Sequence, residues 1–220
     1  MRQIRQRLRA LLRHGPDDVL SRARGVIHVG ANTGQERDLY DSFGLKVVWV
    51  EPIPEVFETL EQNLTKYPDQ RAVRALLTDR SGETVTFHVS SNDGLSSSIF
   101  DFDQHKDIWP EVVTARSIQL VTTTLSDLIA RESINRSEYD ALVMDTQGSE
   151  LLVLKGAEQV LSGFSIIKTE AADFEAYAGC CRREDLEAHL GSRGFFETGA
   201  TEFARRAEGG RYYDVVFERG

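Results

Sequence analysis

The residues of this chain best suited to chemistry are a glycine turn and a set of carboxylates, each placed directly after an apolar run. Val26-Ile27-His28-Val29 leads into Gly30-Ala31-Asn32-Thr33-Gly34-Gln35, and Val47-Val48-Trp49-Val50 leads into Glu51-Pro52. A strand, a glycine turn and a helix start surround a polar or anionic ligand with backbone N–H groups. A carboxylate at the tip of the next strand is placed to accept hydrogen bonds from a ribose diol. Further along, Thr78-Asp79, Asp145-Thr146-Gln147-Gly148 and Glu170 close apolar runs of their own. Ligands of parallel α/β sheets lie at the carboxyl ends of the strands. The candidate site is therefore Gly30, Ala31, Asn32, Thr33, Gly34, Glu51, Pro52, Asp79, Asp145 and Glu170.

The turn discriminates between adenosine cofactors. A dinucleotide fingerprint needs G-x-G-x-x-G, and here Asn32 and Gln35 stand at its second and third glycines. Their side chains would obstruct the close backbone approach of a pyrophosphate. No Gly-Lys-Ser/Thr triplet is present, which removes the P-loop reading. Gly30-x-Asn32-x-Gly34 instead leaves an uncharged polar side chain where an amino-acid carboxylate and amine could lie.

The elements that must hold these residues alternate between strand and helix. Strands are expected at 26–30, 46–51, 71–78, 141–145, 166–170 and 213–217, with helices at 33–43, 54–64, 151–161 and 184–191. This order implies a doubly wound, mostly parallel sheet. Thr84-Val85-Thr86-Phe87-His88-Val89 and residues 118–124 alternate with period 2 and read as a β insertion at 84–124. Loop 90–117 is expected as a lid or substrate wall. The chain divides into a basic N-terminal amphipathic helix at 1–24 and a single domain at 25–220.

Bulk properties bound the function. The chain has 220 residues, 40% of them hydrophobic and 28% charged, as expected of one globular domain. Residues 1–24 hold seven arginines against two aspartates, which leaves the body at −14 within a total of −9. An acidic body argues against nucleic-acid binding. No apolar run is long enough to span a membrane, although the arginine-rich helix could touch a membrane surface. Two adjacent cysteines give neither a disulfide framework nor a zinc spacing, and a cytoplasmic location is the expectation.

Val29-Gly30-Ala31-Asn32-Thr33-Gly34-Gln35, Val50-Glu51-Pro52 and, above all, residues 144–157 (Met-Asp-Thr-Gln-Gly-Ser-Glu-Leu-Leu-Val-Leu-Lys-Gly-Ala) resemble the FkbM family of S-adenosylmethionine-dependent methyltransferases. The resemblance runs from about 26 to 170. It implies a Rossmann-like class I methyltransferase fold with S-adenosylmethionine as cofactor. The implied reaction is O-methylation of a hydroxyl on a sugar, glycan or small metabolite. It also implies that Gly30, Asn32 and Gly34 line the methionine part, that Glu51 binds the ribose and that Asp79 lies near adenine. Ser96-Ser97-Ser98 resembles the family's small-polar loop. His28 stands where the family usually has Asp, and Gln147 where it often has Glu.

An alcohol acceptor must lose its proton, or be activated by a metal. Asp145 is the candidate base, and it could equally hold the following backbone turn or cap the helix at 149–161. Glu170 could face the substrate or Asp145, and the two could alternatively bind a divalent cation, which is not favoured. Glu150 fits the first turn of a helix. The tract Asp101-x-Asp103-x-His105-x-Asp107 lacks an EF-hand glycine and glutamate and reads as a solvated acidic loop. Other readings are an N- or carboxyl-directed methyltransferase, or an inactive cofactor-binding protein.

Overall fold

A computed structural model describes residues 17–220. The expected N-terminal helix lies mostly outside the described residues. Its last part, from 17, forms a short 3-10 helix at Asp18–Arg22 with Leu20 fully buried. This segment is fastened to the domain by ion pairs of Asp17 with Lys168, Arg22 with Glu218 and Arg24 with Asp140.

Ten strands follow in chain order: β1 Gly25–Val29, β2 Lys46–Glu51, β3 Gln70–Arg74, β4 Leu76–Leu77, β5 Thr84–Ser90, β6 Thr114–Thr123, β7 Ala141–Met144, β8 Ile166–Ala172, β9 Phe195–Arg205 and β10 Arg211–Arg219. Seven of them form one sheet in the order β3-β2-β1-β7-β8-β10-β9. The first five run parallel, while β10 is antiparallel to both of its neighbours. The order reverses between β1 and β7, the switch point at which such sheets bind ligands.

Register sets which side chains face which layer. Val48, Ile27, Leu142, Ile167 and Phe217 are aligned across the sheet and belong to one buried core. The next row, on the opposite face, is Trp49, His28, Val143 and Lys168. Helices Arg37–Ser42, Pro54–Leu64, Leu125–Arg131, Glu150–Gly156 and Arg183–Gly191 flank the sheet. Such β-branched and aromatic runs, buried on both faces, are what a central parallel sheet selects.

Four expectations are corrected. The strand expected at 71–78 divides at Ala75: β3 extends the large sheet, whereas β4 pairs with β6. Leu76 and Leu77 are both buried, and a strand alternates its side chains, so the chain changes sheets to bury both. The helix expected from 33 begins only at Arg37, because Asn32 and Gly34 hold positive φ of 45° and 71°, outside the helical region. The helix expected at 151–161 ends at Gly156, and a 3-10 turn follows at Leu161–Gly163. His105 in the acidic tract is buried among the Phe102, Trp109 and Tyr177 rings rather than solvated, while Asp101, Asp103 and Asp107 are exposed.

The expected insertion forms the second sheet, with order β4-β6-β5. Strand β9 and helix Leu125–Arg131 carry no expectation from periodicity. Strand β9 is mostly exposed along its length and lacks a clear alternation. The helix was signalled only by its cap, Thr124, which accepts from the Asp127 amide at 3.0 Å as N-cap threonines do.

Candidate active site

The glycine turn joins the ends of three strands. Gly30 has φ +79°, and a Cβ there would lie 1.8 Å from the Asp145 carbonyl oxygen. Only glycine allows β1 to pass this close to the residue after β7. The amides of Gly30 and Ala31 donate to the Val50 carbonyl at 3.0 and 3.1 Å, tying the turn to β2. The Asn32 side-chain oxygen accepts from the Thr33 amide and from Gln35, and its Nδ2 donates to the Asp93 carbonyl at 3.0 Å. This last bond fastens the turn to the insertion loop.

Glu51, 4% exposed, ends β2 with both oxygens engaged. Oε2 accepts from the Asn32 amide at 2.8 Å and Oε1 from the Ile53 amide at 2.9 Å. Burial pushes its carboxyl up to about 7 against the lowering effect of these two amides. Each carboxylate oxygen retains a lone pair for a further donor.

A cleft of about 720 Å³, including its open mouth, lies at this switch point. Gly30, Ala31, Asn32, Glu51, Pro52 and Asp145 line it, as do Ile53, Leu76, Leu77 and Phe87 on an apolar side. Gly94, Leu95 and Ser97 add a wall from the insertion loop. Among the described residues, no lysine or arginine lines the cleft, whereas Glu36, Glu51 and Asp145 do.

Four candidates lie off the wall, among them Glu170 on the β7 side. The Thr33 carbonyl accepts from Asn63, Gly34 abuts Leu60, and Asp79 lies beside Arg80 at 3.9 Å. His28, in contrast, does line the cleft. It is stacked on Trp49 with ring centroids 4.8 Å apart and lies 3.1 Å from the Tyr40 hydroxyl. Burial, aided by the Lys168 charge, lowers its pKa to about 3, so the ring is neutral.

On the β7 side the structure gathers a second group. Gln147, at φ +53°, donates from Nε2 to Asp145 Oδ1 at 2.5 Å and lies 3.5 Å from Glu170 Oε2. Its Oε1 accepts from the Tyr177 hydroxyl at 2.6 Å. Gln147 thus links the two candidate carboxylates, a role that its place in the motif, where the family often has Glu, does not signal. Burial raises Asp145 to about 7, countered by the Gln147 bond and reinforced by Glu150 and other nearby carboxylates. Glu170 is pushed well above the carboxylate range by burial and by the charge of Asp145. The charge of either carboxyl disfavours ionisation of the other.

The helix after β7 is held by Glu150 rather than Asp145. The buried Glu150 carboxylate accepts from the Thr146 amide at 2.9 Å and from the Gly148 amide at 3.0 Å. Asp145 is therefore not spent on the turn. Among the described residues, no group of three His, Cys, Asp or Glu side chains is placed to hold a metal ion.

The overall architecture is shared with solved methyltransferases. Magnesium protoporphyrin IX methyltransferase from Synechocystis PCC 6803, with bound S-adenosylhomocysteine, superposes with a TM-score of 0.53 at 11% identity, over 99% of this chain and 82% of that one. Streptococcus pneumoniae Sp1610, in complex with S-adenosyl-L-methionine, superposes with a TM-score of 0.50 at 11% identity, over 92% and 71% of the two chains. At these identities the likeness is one of fold, the Rossmann-like class I methyltransferase fold. A comparison with curated protein sequences finds no match. The sequence model of the methyltransferase FkbM domain matches residues 28–211, and the chain belongs to this methyltransferase family.

Proposed function

We propose that the chain is an S-adenosylmethionine-dependent O-methyltransferase acting on a hydroxyl of a sugar or small metabolite. The observation that carries this reading is the pairing of a carboxylate-ringed cleft, without lysine or arginine among its described lining residues, with the half-buried Asp145–Gln147–Glu170 group beside it. A lining without lysine or arginine is poorly suited to phosphates and well suited to a sulfonium, whose positive charge Glu36, Glu51 and Asp145 favour. Spare lone pairs on Glu51 suit a ribose diol, and Ile53, Leu76, Leu77 and Phe87 offer an apolar wall to a purine.

S-adenosylmethionine supplies a methyl group on a positively charged sulfur, so that the acceptor oxygen gains the carbon while the C–S electron pair returns to sulfur. The protein aligns the partners and removes the hydroxyl proton. Asp145, with a pKa near 7, is a carboxylate poised to take that proton near neutral pH. Glu170, whose carboxyl is pushed up by burial and by the charge of Asp145, resists becoming a second negative neighbour. A base tuned in this way serves an alcohol, whereas a neutral amine would attack through its free electron pair.

Calorimetric titration with S-adenosylmethionine and S-adenosylhomocysteine tests the cofactor, and micromolar binding of both is expected. Absence of binding at millimolar cofactor would overturn the reading. Transfer of a mass-tagged methyl to a panel of hydroxylated acceptors tests the chemistry, and a product methylated on nitrogen alone would refute O-methylation.

A further inference from the structure

A second, narrower crevice adjoins the main cleft and shares Gln147 as its dividing wall. It measures about 330 Å³ with its mouth, less than half the size of the main cleft. Ala171, Ala172, Ala176 and Leu186 give it small apolar sides, and Glu170, Tyr177 and Tyr212 contribute its polar groups. The Tyr177 hydroxyl is already committed to Gln147.

The Tyr212 hydroxyl is not committed. Tyr212 is 6% exposed, and its buried hydroxyl has no hydrogen-bond partner among the described residues. Leaving such a group unpaired costs about 1–3 kcal/mol. The Phe174 and Phe203 rings, with centroids 5.1 and 5.6 Å away, and Trp109 at 5.5 Å hold the phenol in place. A fixed, desolvated hydroxyl lining the same crevice as the Glu170 carboxyl is a ready site for one more hydroxyl.

Charge narrows what that hydroxyl can belong to. Among the described residues, no lysine or arginine lines the crevice, while Glu150 and Glu170 do. Lys168, two positions before Glu170 on the same strand, is occupied by Asp17 at 2.5 Å and Asp214 at 3.6 Å. A phosphate or carboxylate would enter without a counter-charge, and a neutral alcohol would not.

We propose that this crevice is the acceptor subsite and receives the hydroxymethyl end of an uncharged polyol, with Tyr212 and Glu170 as its hydrogen-bonding partners. The inference rests on the methyltransferase reading above and adds the direction from which the acceptor approaches. The alcohol enters from the Tyr212 side and meets Asp145 at the Gln147 partition, while the methyl donor occupies the other side.

The test is alanine-methyl NMR on the full chain, free and saturated with S-adenosylhomocysteine, with glycerol as the neutral probe and glycerate as its anionic counterpart. Glycerol should shift the Ala172 and Ala176 methyls saturably in the millimolar range and leave Ala31 of the main cleft unmoved. Glycerate should shift none of them. Tyr212→Phe should weaken glycerol binding about tenfold without lowering thermal stability or affinity for S-adenosylhomocysteine, and Ala172→Leu should block glycerol by filling the crevice. Absence of glycerol shifts, equal response to glycerate, or unchanged glycerol affinity in Tyr212→Phe would overturn the proposal. Failure to bind S-adenosylhomocysteine would count against the cofactor reading instead, since the glycerol shifts are also read in the free protein.

Discussion

Glu51, at the end of β2, and Asp145, just after β7, stand on either side of the same glycine turn, and burial pushes both up to about 7. Their partners differ. Glu51 is gripped by two backbone amides, those of Asn32 and Ile53, which move only if the fold moves. The Asp145 side chain is bonded to the Gln147 side chain, which can rotate. A carboxylate fixed by the backbone is a positioning group, while one held by a side chain can exchange partners and protons. The same perturbed pKa therefore accompanies two kinds of work, and the hydrogen-bond donors tell them apart.

The strongest way to break this contrast is Asp145→Asn. It keeps the shape and can still pair with Gln147 after an amide flip, but it cannot take a proton. Methyl transfer should fall by about 10²–10⁴ while calorimetric cofactor affinity stays close to that of the parent chain. Retained turnover would make Asp145 another positioning group and erase the distinction.

Glu51→Gln attacks the other side. The amide offers one acceptor oxygen where two are needed, and hydrogen bonds to a charged group contribute about 1.5–3 kcal/mol each. Cofactor affinity should weaken by roughly tenfold or more, with turnover at saturating cofactor reduced far less than in Asp145→Asn. A loss confined to turnover would reverse the two assignments.

The smallest effect is thermal. The folded pKa values of Glu51 and Asp145 lie above their unfolded ones of 4.5 and 3.8, so near pH 7 the folded chain holds protons that the unfolded chain has released. Stability should therefore rise as pH falls from 8 to 6.5, by about 1–2 kcal/mol, or a few degrees in Tm. Below about 6.5 the rise should become shallower. His28 and His105 are depressed to about 3 and 4, so protonation of these residues in the unfolded chain opposes further gain. Scanning calorimetry of the ligand-free protein across this range checks the sign, and a Tm that rises steadily toward pH 8 would contradict it.

Most of the cleft was legible because it obeys local rules. Gly30 and Glu51 close β-branched runs, and an insertion loop rich in small polar residues stood out between two period-2 strands. Thr33, Gly34 and Asp79 stand beside the same strand ends but do not line the cleft, and the Thr33 carbonyl accepts from Asn63 instead. Position along a strand end does not reveal which way a turn points its residues.

By itself the sequence determined the alternation of strands and helices, the switch-point turn and its family likeness, because hydrophobic period and glycine placement are local properties. Only the tertiary structure decided the work of the carboxylates. Glu150 took the backbone amides that Asp145 could have held, and Gln147 joined Asp145 to Glu170, which lies 23 residues beyond Gln147 in the chain. Tyr212, from the last strand, brought an unpaired hydroxyl beside them. Burial and partner choice depend on contacts between distant segments, and no local pattern encodes them.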